Sequence, residues 1–169
     1  GYGWMKRYLE KLAWFVTSES NLKIAIVRST AVYGRYDHSN HVIPALVRKA
    51  VEKQDPFEVW GSGYEVRDFF HAKDLARGGL LMLEGYAECD PVNIAYGEAI
   101  TIKNLAQKIL HAAKHDRAEV VFNESKPTTA SIRMVDTSKA KHLLGFQPLI
   151  TLDDGLLDPV SWYSETHTN

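Results

Sequence analysis

The sequence predicts an α/β fold on three observations: a helical apolar period at its start, a β-branched run immediately after, and repetition of that alternation along the chain. Residues Tyr2 to Thr17 place Met5, Tyr8, Leu9, Leu12, Phe15 and Val16 at helical spacing, with Lys6, Arg7, Glu10 and Lys11 between them. That pattern is an amphipathic helix with a wide apolar face, opening at residue 2 with no strand or cap before it. Turn-forming residues from Ser18 to Asn21 end it. The run KIAIVR, Lys23 to Arg28, then reads as a strand buried on both faces.

The later elements follow in order. YGRYDHSN, Tyr33 to Asn40, is a loop by composition. Val42 to Lys53 has apolar residues at helical spacing, with Pro44 in the first turn where its missing N–H costs nothing. Phe57 to Trp60 reads as a short strand closed by a tight turn at Gly61-Ser62-Gly63, and Val66 to His71 as another strand. A helix is expected from Lys73 to Glu84 and a sheet strand from Pro91 to Ala95. Thr101 is placed to cap a helix running to about Lys114. A short strand at Val120 to Phe122 precedes a loop from Ser125 to Thr129 and a short helix, Ser138 to Leu144, stopped by Gly145. The last helix spans Leu152 to Tyr163 behind a Thr151 cap, and Pro159 should kink or shorten it.

Composition narrows the function classes. With 169 residues, 45% of them hydrophobic, the chain can bury a sizeable core and is not a disordered segment. One cysteine, Cys89, excludes a disulfide scaffold. Twenty basic against 21 acidic residues argue against general nucleic-acid or membrane binding through charge. No apolar run approaches the roughly 18–20 residues of a membrane span, and the first residues carry no signal-peptide hydrophobic block, so a cytoplasmic location is expected. No metal site is expected.

Four clusters carry candidate chemistry. Tyr2 and Lys6, just over one helical turn apart, project from one face, where a cation favours the phenolate; ordinary helix neighbours show the same spacing. His41, in HSNHVIP, is either a loop residue before a helix or an acid/base group. VWGSGYEVRDF, Val59 to Phe69, offers an aromatic plane, two glycines and Arg67, which forms either a surface ion pair with Asp68 or a bidentate phosphate ligand. Lys126 and, downstream, Arg133 add to such a site or are simply solvated.

In order, the segments YGWMK, RSTAVYG, SNHVIPALVRK, VWGSGYEVRDFFHAKDLA, NIAYGEAITIKNLA and SKPTTASIRMVDTSKAKHLLGF together resemble the extended short-chain dehydrogenase/reductase group of nucleotide-sugar epimerases and dehydratases. Within it they are most similar to the GDP-L-fucose synthase branch, toward which Asn40-His41 before Val-Ile-Pro points. The resemblance covers essentially the whole chain. It implies that Tyr2 gives a proton to the sugar C4 oxygen, that Lys6 binds the nicotinamide ribose and favours the tyrosinate, and that Ser29, Thr30, Ala31 and Val32 run beside the nicotinamide of NADP or NAD. His41 matches the histidine that protonates a sugar carbon during epimerisation. Trp60, Arg67 and Lys126 match the wall and cations around the nucleotide diphosphate, with Asn40 and Arg48 added to the substrate side. A GDP-sugar is the favoured substrate, with a UDP- or dTDP-sugar epimerase or dehydratase as the alternative.

The chain also departs from that pattern. Arg35 follows Tyr-Gly where a proline is common, Lys126-Pro-Thr-Thr129 replaces Lys-Pro-Asp-Gly, and Ser-Thr-Ala precedes Val32-Tyr-Gly. No glycine-rich dinucleotide turn precedes Tyr2, and Cys89 does not match the family's cysteine partner of the acid/base histidine. The resemblance therefore implies the C-terminal half of such an enzyme over residues 1–169: an incomplete parallel Rossmann-like sheet with a small α/β substrate-binding region. Its apolar flanks at Ile24 to Val27 would be uncovered. On its own it is expected to be inactive and to bind no dinucleotide. A separate N-terminal half would complete it, or it serves as a nucleotide-sugar-binding remnant or interaction module. Aromatic residues on the first helix, Trp4, Tyr8 and Trp14, lead to the expectation of a homo-oligomer.

Overall fold

The computed structural model describes residues 1–167. Among these residues six helices are interspersed with nine short strands. Helix α1 spans Tyr2–Glu19, followed by β1 (Val27–Arg28), β2 (Ala31–Tyr33), α2 (Val42–Val51), β3 (Phe57–Trp60), β4 (Val66–Arg67), β5 (Phe69–His71) and α3 (Ala72–Gly85). Then come β6 (Val92–Asn93), β7 (Ile100–Thr101), α4 (Ile102–Ala112), β8 (Val120–Asn123), β9 (Ile132–Arg133), α5 (Ser138–Leu144) and α6 (Leu152–His167). The strands pair in parallel as β1 with β6, β2 with β5 and β3 with β8. In the fourth sheet β4 lies between antiparallel β7 and parallel β9. Every parallel partner is distant in sequence, the connectivity of an α/β fold.

Two apolar clusters hold these pieces together. In the first, Ile43, Leu46, Val47 and Ala50 of α2 meet Phe57 and Val59 of β3, Leu105 and Ile109 of α4, and Leu156 and Val160 of α6. In the second, Phe70, Met82, Val92, Ile94, Ala140 and Phe146 pack together. Helix α1 contributes to neither, because none of its residues is buried. It is tied to β1 by Glu10, which accepts from both Nε and Nη2 of Arg28 at 2.6 and 2.7 Å. That pairing, Arg28 first, holds the Glu10 carboxyl below the usual carboxylate range.

Several local expectations need correction. The strand expected over Lys23 to Arg28 pairs as a ladder only at Val27–Arg28, with one further bridge from Ile24 to Glu88. Residues 24–27 are half-buried rather than covered on both faces, because α1 leaves their flank open. The single strand expected from Val66 to His71 divides at Asp68. That carboxylate is 1% exposed and accepts the Gly97 N–H at 3.0 Å, so β4 and β5 belong to different sheets. Asp68 is therefore no surface partner for Arg67. Pro159 does not shorten α6: the helix runs on to His167 and buries Gly155, Leu156, Pro159, Val160 and Trp162. That burial outweighs a proline cost of about 3 kcal/mol. Thr101 and Thr151 cap as expected, accepting from Asn104 N and Asp154 N at 3.2 Å, and Gly145 ends α5 in the left-handed region at φ 59°.

One buried histidine gives stability a pH dependence. His71 Nδ1 accepts the Lys73 N–H at the start of α3, which leaves the proton on Nε2, buried without a hydrogen bond 3.7 Å from Asp158 Oδ2. Burial lowers the His71 pKa; Asp158 and Asp74 oppose that shift and Lys73 adds to it, while the Tyr33 ring stands edge-on at 5.3 Å. Because the folded value lies below the unfolded one of about 6.5, the unfolded chain binds the extra proton. This contribution is thus complete above about pH 6.5 and is lost as pH falls through the folded value. Urea melts from about pH 7.5 to 5.5 should show falling stability, and His71→Asn, which can still cap α3, should flatten the fall. An equally steep fall in the variant would remove His71 as its source.

Candidate functional site

The expected site residues gather around cavities that share walls. Tyr2, in the first turn of α1, lines a cavity of about 900 Å³ together with Ser29, Thr30, Ala31, Val32, Asn40, His41, Arg67 and Arg133. Tyr2 is 73% exposed, and the Lys6 ammonium lies over its ring, 5.4 Å from the centroid. Lys6 instead lines an adjoining cavity of about 500 Å³, whose wall also contains Tyr2, Glu10, Arg28 and Ser29. β2 brings Ala31 and Val32 to the wall through its parallel register with Phe69 and Phe70. His41 is the N-cap of α2; its carbonyl accepts the Ala45 N–H, and its own N–H donates to Ser39 Oγ at 3.3 Å.

A further cavity, of about 370 Å³, lies between α2 and β3. It is lined by Asn40, Arg48, Lys49, Glu58, Trp60, Arg67 and Thr129, so Asn40, Arg67 and Thr129 are shared with the larger cavity. The glycine turn after β3 sets this geometry. Gly61 and Gly63 have φ of 92° and 80°, and the Glu65 carboxylate accepts the Ser62 and Gly63 N–H groups at 3.1 and 3.0 Å. A Cβ at Gly61 would stand 2.6 Å from Thr128 Cγ2. Trp60, 53% exposed, presents its ring to the cavity, and the Lys126 ammonium lies 5.5 Å from the ring centroid. Lys126 does not line the cavity itself.

Arg67 is held between the two cavities. Its Nη1 donates to the Val66 carbonyl at 2.7 Å and Nη2 to Thr129 Oγ1 at 2.8 Å. The β4–β9 register sets Arg133 directly beside it. Among the described residues neither guanidinium forms an ion pair. Burial, and then the Arg133 charge, lower the Arg67 pKa from its ordinary value, with the Glu65 carboxylate opposing them. Two like charges on adjacent strands destabilise one another unless an anion lies between them. At the far wall, Thr30 Oγ1 and Asp68 Oδ1 are buried without hydrogen-bond partners; although the two groups interact, no bond of hydrogen-bond geometry joins them. Burial raises the Asp68 carboxyl above its ordinary value against the pull of the Gly97 N–H.

Residues 1–95 match the NAD dependent epimerase/dehydratase family. The chain belongs to that family. Among its relatives in the family, a putative GDP-L-fucose synthase 2 of Arabidopsis thaliana is 34% identical over 144 residues, 80% of this chain and 43% of the plant protein. A dTDP-4-dehydro-6-deoxy-D-allose reductase of a Streptomyces species is 30% identical over 167 residues, 96% of this chain and 50% of the reductase. The UDP-glucose 4-epimerase of Thermotoga maritima, solved with UDP-glucose, superposes with a TM-score of 0.86 at 26% identity, over 98% of this chain and 53% of that one. The chain thus spans about half the length of the curated relatives it matches. Among its described residues no helix is long and apolar enough to cross a membrane.

The family's nicotinamide cofactor fits the donor set of this epimerase/dehydratase chain. Tyr2, Ser29 and Lys6 line the adjoining cavities and offer two hydroxyls and an ammonium to a polar ligand there, while Thr30 Oγ1 is buried against Asp68. Sequence reasoning singled out neither Lys49 nor Glu58. The signal for the second was the spacing Glu58-x-Trp60 on a strand, which puts both side chains on one face.

Proposed function

We propose that this chain is the substrate-binding half of an NAD(P)-dependent nucleotide-sugar epimerase/reductase acting on a 4-keto-6-deoxy GDP-sugar. The observation that carries the reading is the Arg67–Arg133 pair in register on β4 and β9, without an ion-pair partner among the described residues and facing the cavity that also holds Tyr2, Asn40 and His41. Such a pair is matched by a diphosphate. Trp60, with Lys126 above it and Arg48 alongside, supplies a stacking wall for the nucleoside. Ser29 to Val32 border the nicotinamide, and Lys6 holds its ribose.

In this reading, bound NAD(P) supplies the hydride that reduces the sugar carbonyl. Tyr2 gives its phenolic proton to the carbonyl oxygen, and the Lys6 ammonium stabilises the tyrosinate left behind. His41 delivers or removes the proton at the sugar carbon that inverts, and Asn40 orients the sugar beside it. Because Tyr2 is largely exposed on a helix with no buried residue, its orientation requires further polypeptide against α1, and the chain alone should not turn over. The exposed Trp4, Tyr8 and Trp14 suit α1 to pack on a second copy.

The test is calorimetric titration of the purified chain with GDP and with NADPH, followed by assay with GDP-4-keto-6-deoxymannose. GDP binding without NADPH-dependent turnover is expected; failure to bind GDP overturns the substrate reading, and turnover overturns the dependence on further polypeptide. Sedimentation of the same preparation as a monomer at micromolar concentration would remove the second copy. A UDP- or dTDP-sugar is the second reading, favoured by the UDP-glucose 4-epimerase and dTDP-sugar reductase relatives. Nucleotide competition decides between them.

A further inference from the structure

We propose that Lys49 and Glu58 form a base-reading pair that selects guanine in the cavity beside Trp60. The inference rests on the nucleotide-sugar reading above and specifies its base. Glu58 and Trp60 alternate along β3 with buried Phe57 and Val59, so both turn away from the core toward the cavity. Asn123, Lys49 and the Trp60 side chain all engage the carboxylate. Oε1 accepts from Asn123 Nδ2 at 2.6 Å across the β3–β8 pair, and Lys49 Nζ lies 3.6 Å from Oε2 while donating to the Glu58 carbonyl at 2.7 Å. Asn123 first, then Lys49 and the Trp60 side chain, hold the Glu58 carboxyl below the usual carboxylate range, so it remains an acceptor at neutral pH. The Lys49 and Glu58 side chains are 19% and 39% exposed, accessible to a ligand from the cavity.

A cationic donor beside an anionic acceptor, next to an aromatic plane, is chemically selective. Guanine presents an acceptor, O6, followed by two donors, N1–H and N2–H. Lys49 meets the first and the Glu58 carboxylate the other two, while the ring stacks on Trp60. Uracil and thymine flank their single N3–H donor with two carbonyls, so one carbonyl would face the carboxylate. Adenine would set an amino donor against the ammonium and a ring-nitrogen acceptor against the carboxylate. A site built to hydrogen-bond one edge rejects the other bases because its polar groups are left unpaired.

The experiment measures GDP and UDP affinity by calorimetry for the unaltered chain, Glu58→Gln and Trp60→Ala, with far-UV circular dichroism on each. GDP is expected to bind at least about tenfold more tightly than UDP, and Glu58→Gln to bring the two within about threefold. Trp60→Ala should weaken both nucleotides together. Equal affinity in the unaltered chain, or a preference that survives Glu58→Gln in a folded variant, overturns the base-reading pair and leaves the diphosphate site standing. No binding of either nucleotide overturns the underlying site and this inference with it. Should Glu58→Gln not fold, Lys49→Met decides on the same ratio: narrowing supports the pair and an unchanged ratio overturns it.

Discussion

Replacing Arg67 by alanine is expected to weaken GDP binding by about 30- to 100-fold, or ~2–2.7 kcal/mol, while the unliganded chain stays within about 1 kcal/mol of its stability. The two effects separate because Arg67 contributes little to the fold. Its hydrogen bonds run to its own strand, to the exposed Thr129 and, at 3.4 Å, to the Ser131 carbonyl, and it stands beside a second guanidinium. Removing it relieves repulsion with Arg133 and costs only those bonds. A bound diphosphate uses the same charge and its two-pronged donor geometry, so the loss falls on the complex. Arg67→Lys, which keeps the charge and loses the fork, should lie between the two. Raising salt should narrow the difference. Calorimetry with GDP on the three proteins checks this, and an alanine variant binding within threefold of the unaltered chain would remove Arg67 from the site.

The helices were legible because each carries its own evidence. The periodicity of Val42 to Val51, the threonine caps at 101 and 151 and the left-handed Gly145 are local facts, and the structure keeps them. Strands β2, β7 and β9 were not legible. Each has two or three residues, too few to alternate, and each exists only through a partner remote in sequence; both residues of β9 are exposed and would be loop without β4. For the same reason the division of Val66 to His71 at Asp68 could not be read, since it depends on the Gly97 N–H.

The candidate site shows the same limit. Tyr2, His41, Trp60 and Arg67 were recognisable as separate motifs, and most of the expected residues meet around shared cavities. What makes the arrangement chemical is long-range: Arg133 set beside Arg67 by strand register, and Glu58 oriented by an asparagine 65 positions away. An acidic residue on a strand is ordinary in a sequence. It becomes informative only once Lys49 stands 3.6 Å from it and an aromatic wall lies on the same face.

The largest stability loss is expected at Asp74, where Asp74→Ala should cost about 3 kcal/mol. The residue is 2% exposed, in the first turn of α3. Its Oδ2 accepts the N–H groups of both Leu149 and Ile150 at 2.9 Å, and its Oδ1 pairs with Arg77 at 3.0 Å. Arg77 in turn covers the Phe146 ring at 4.7 Å and donates to the Gln147 carbonyl. One carboxylate therefore clamps α3 to residues 146–150, the segment that leads into the Thr151 cap of α6. Alanine would leave the Leu149 and Ile150 N–H groups without their acceptor and remove the Arg77 counter-charge; the Arg77 side chain, 34% exposed, is reached by water, so the loss falls chiefly on the two backbone donors. Asp74→Asn keeps an oxygen for the two N–H groups but turns an amide toward Arg77, so about half the loss is expected. Urea unfolding at constant m value measures both variants. Because α6 packs on α2 and α4 in the first cluster while α3 packs in the second, loosening this clamp should lower the stability of both together in one transition. Two separated transitions in Asp74→Ala, or a loss under 1 kcal/mol, would show that the clamp does not couple the two cores.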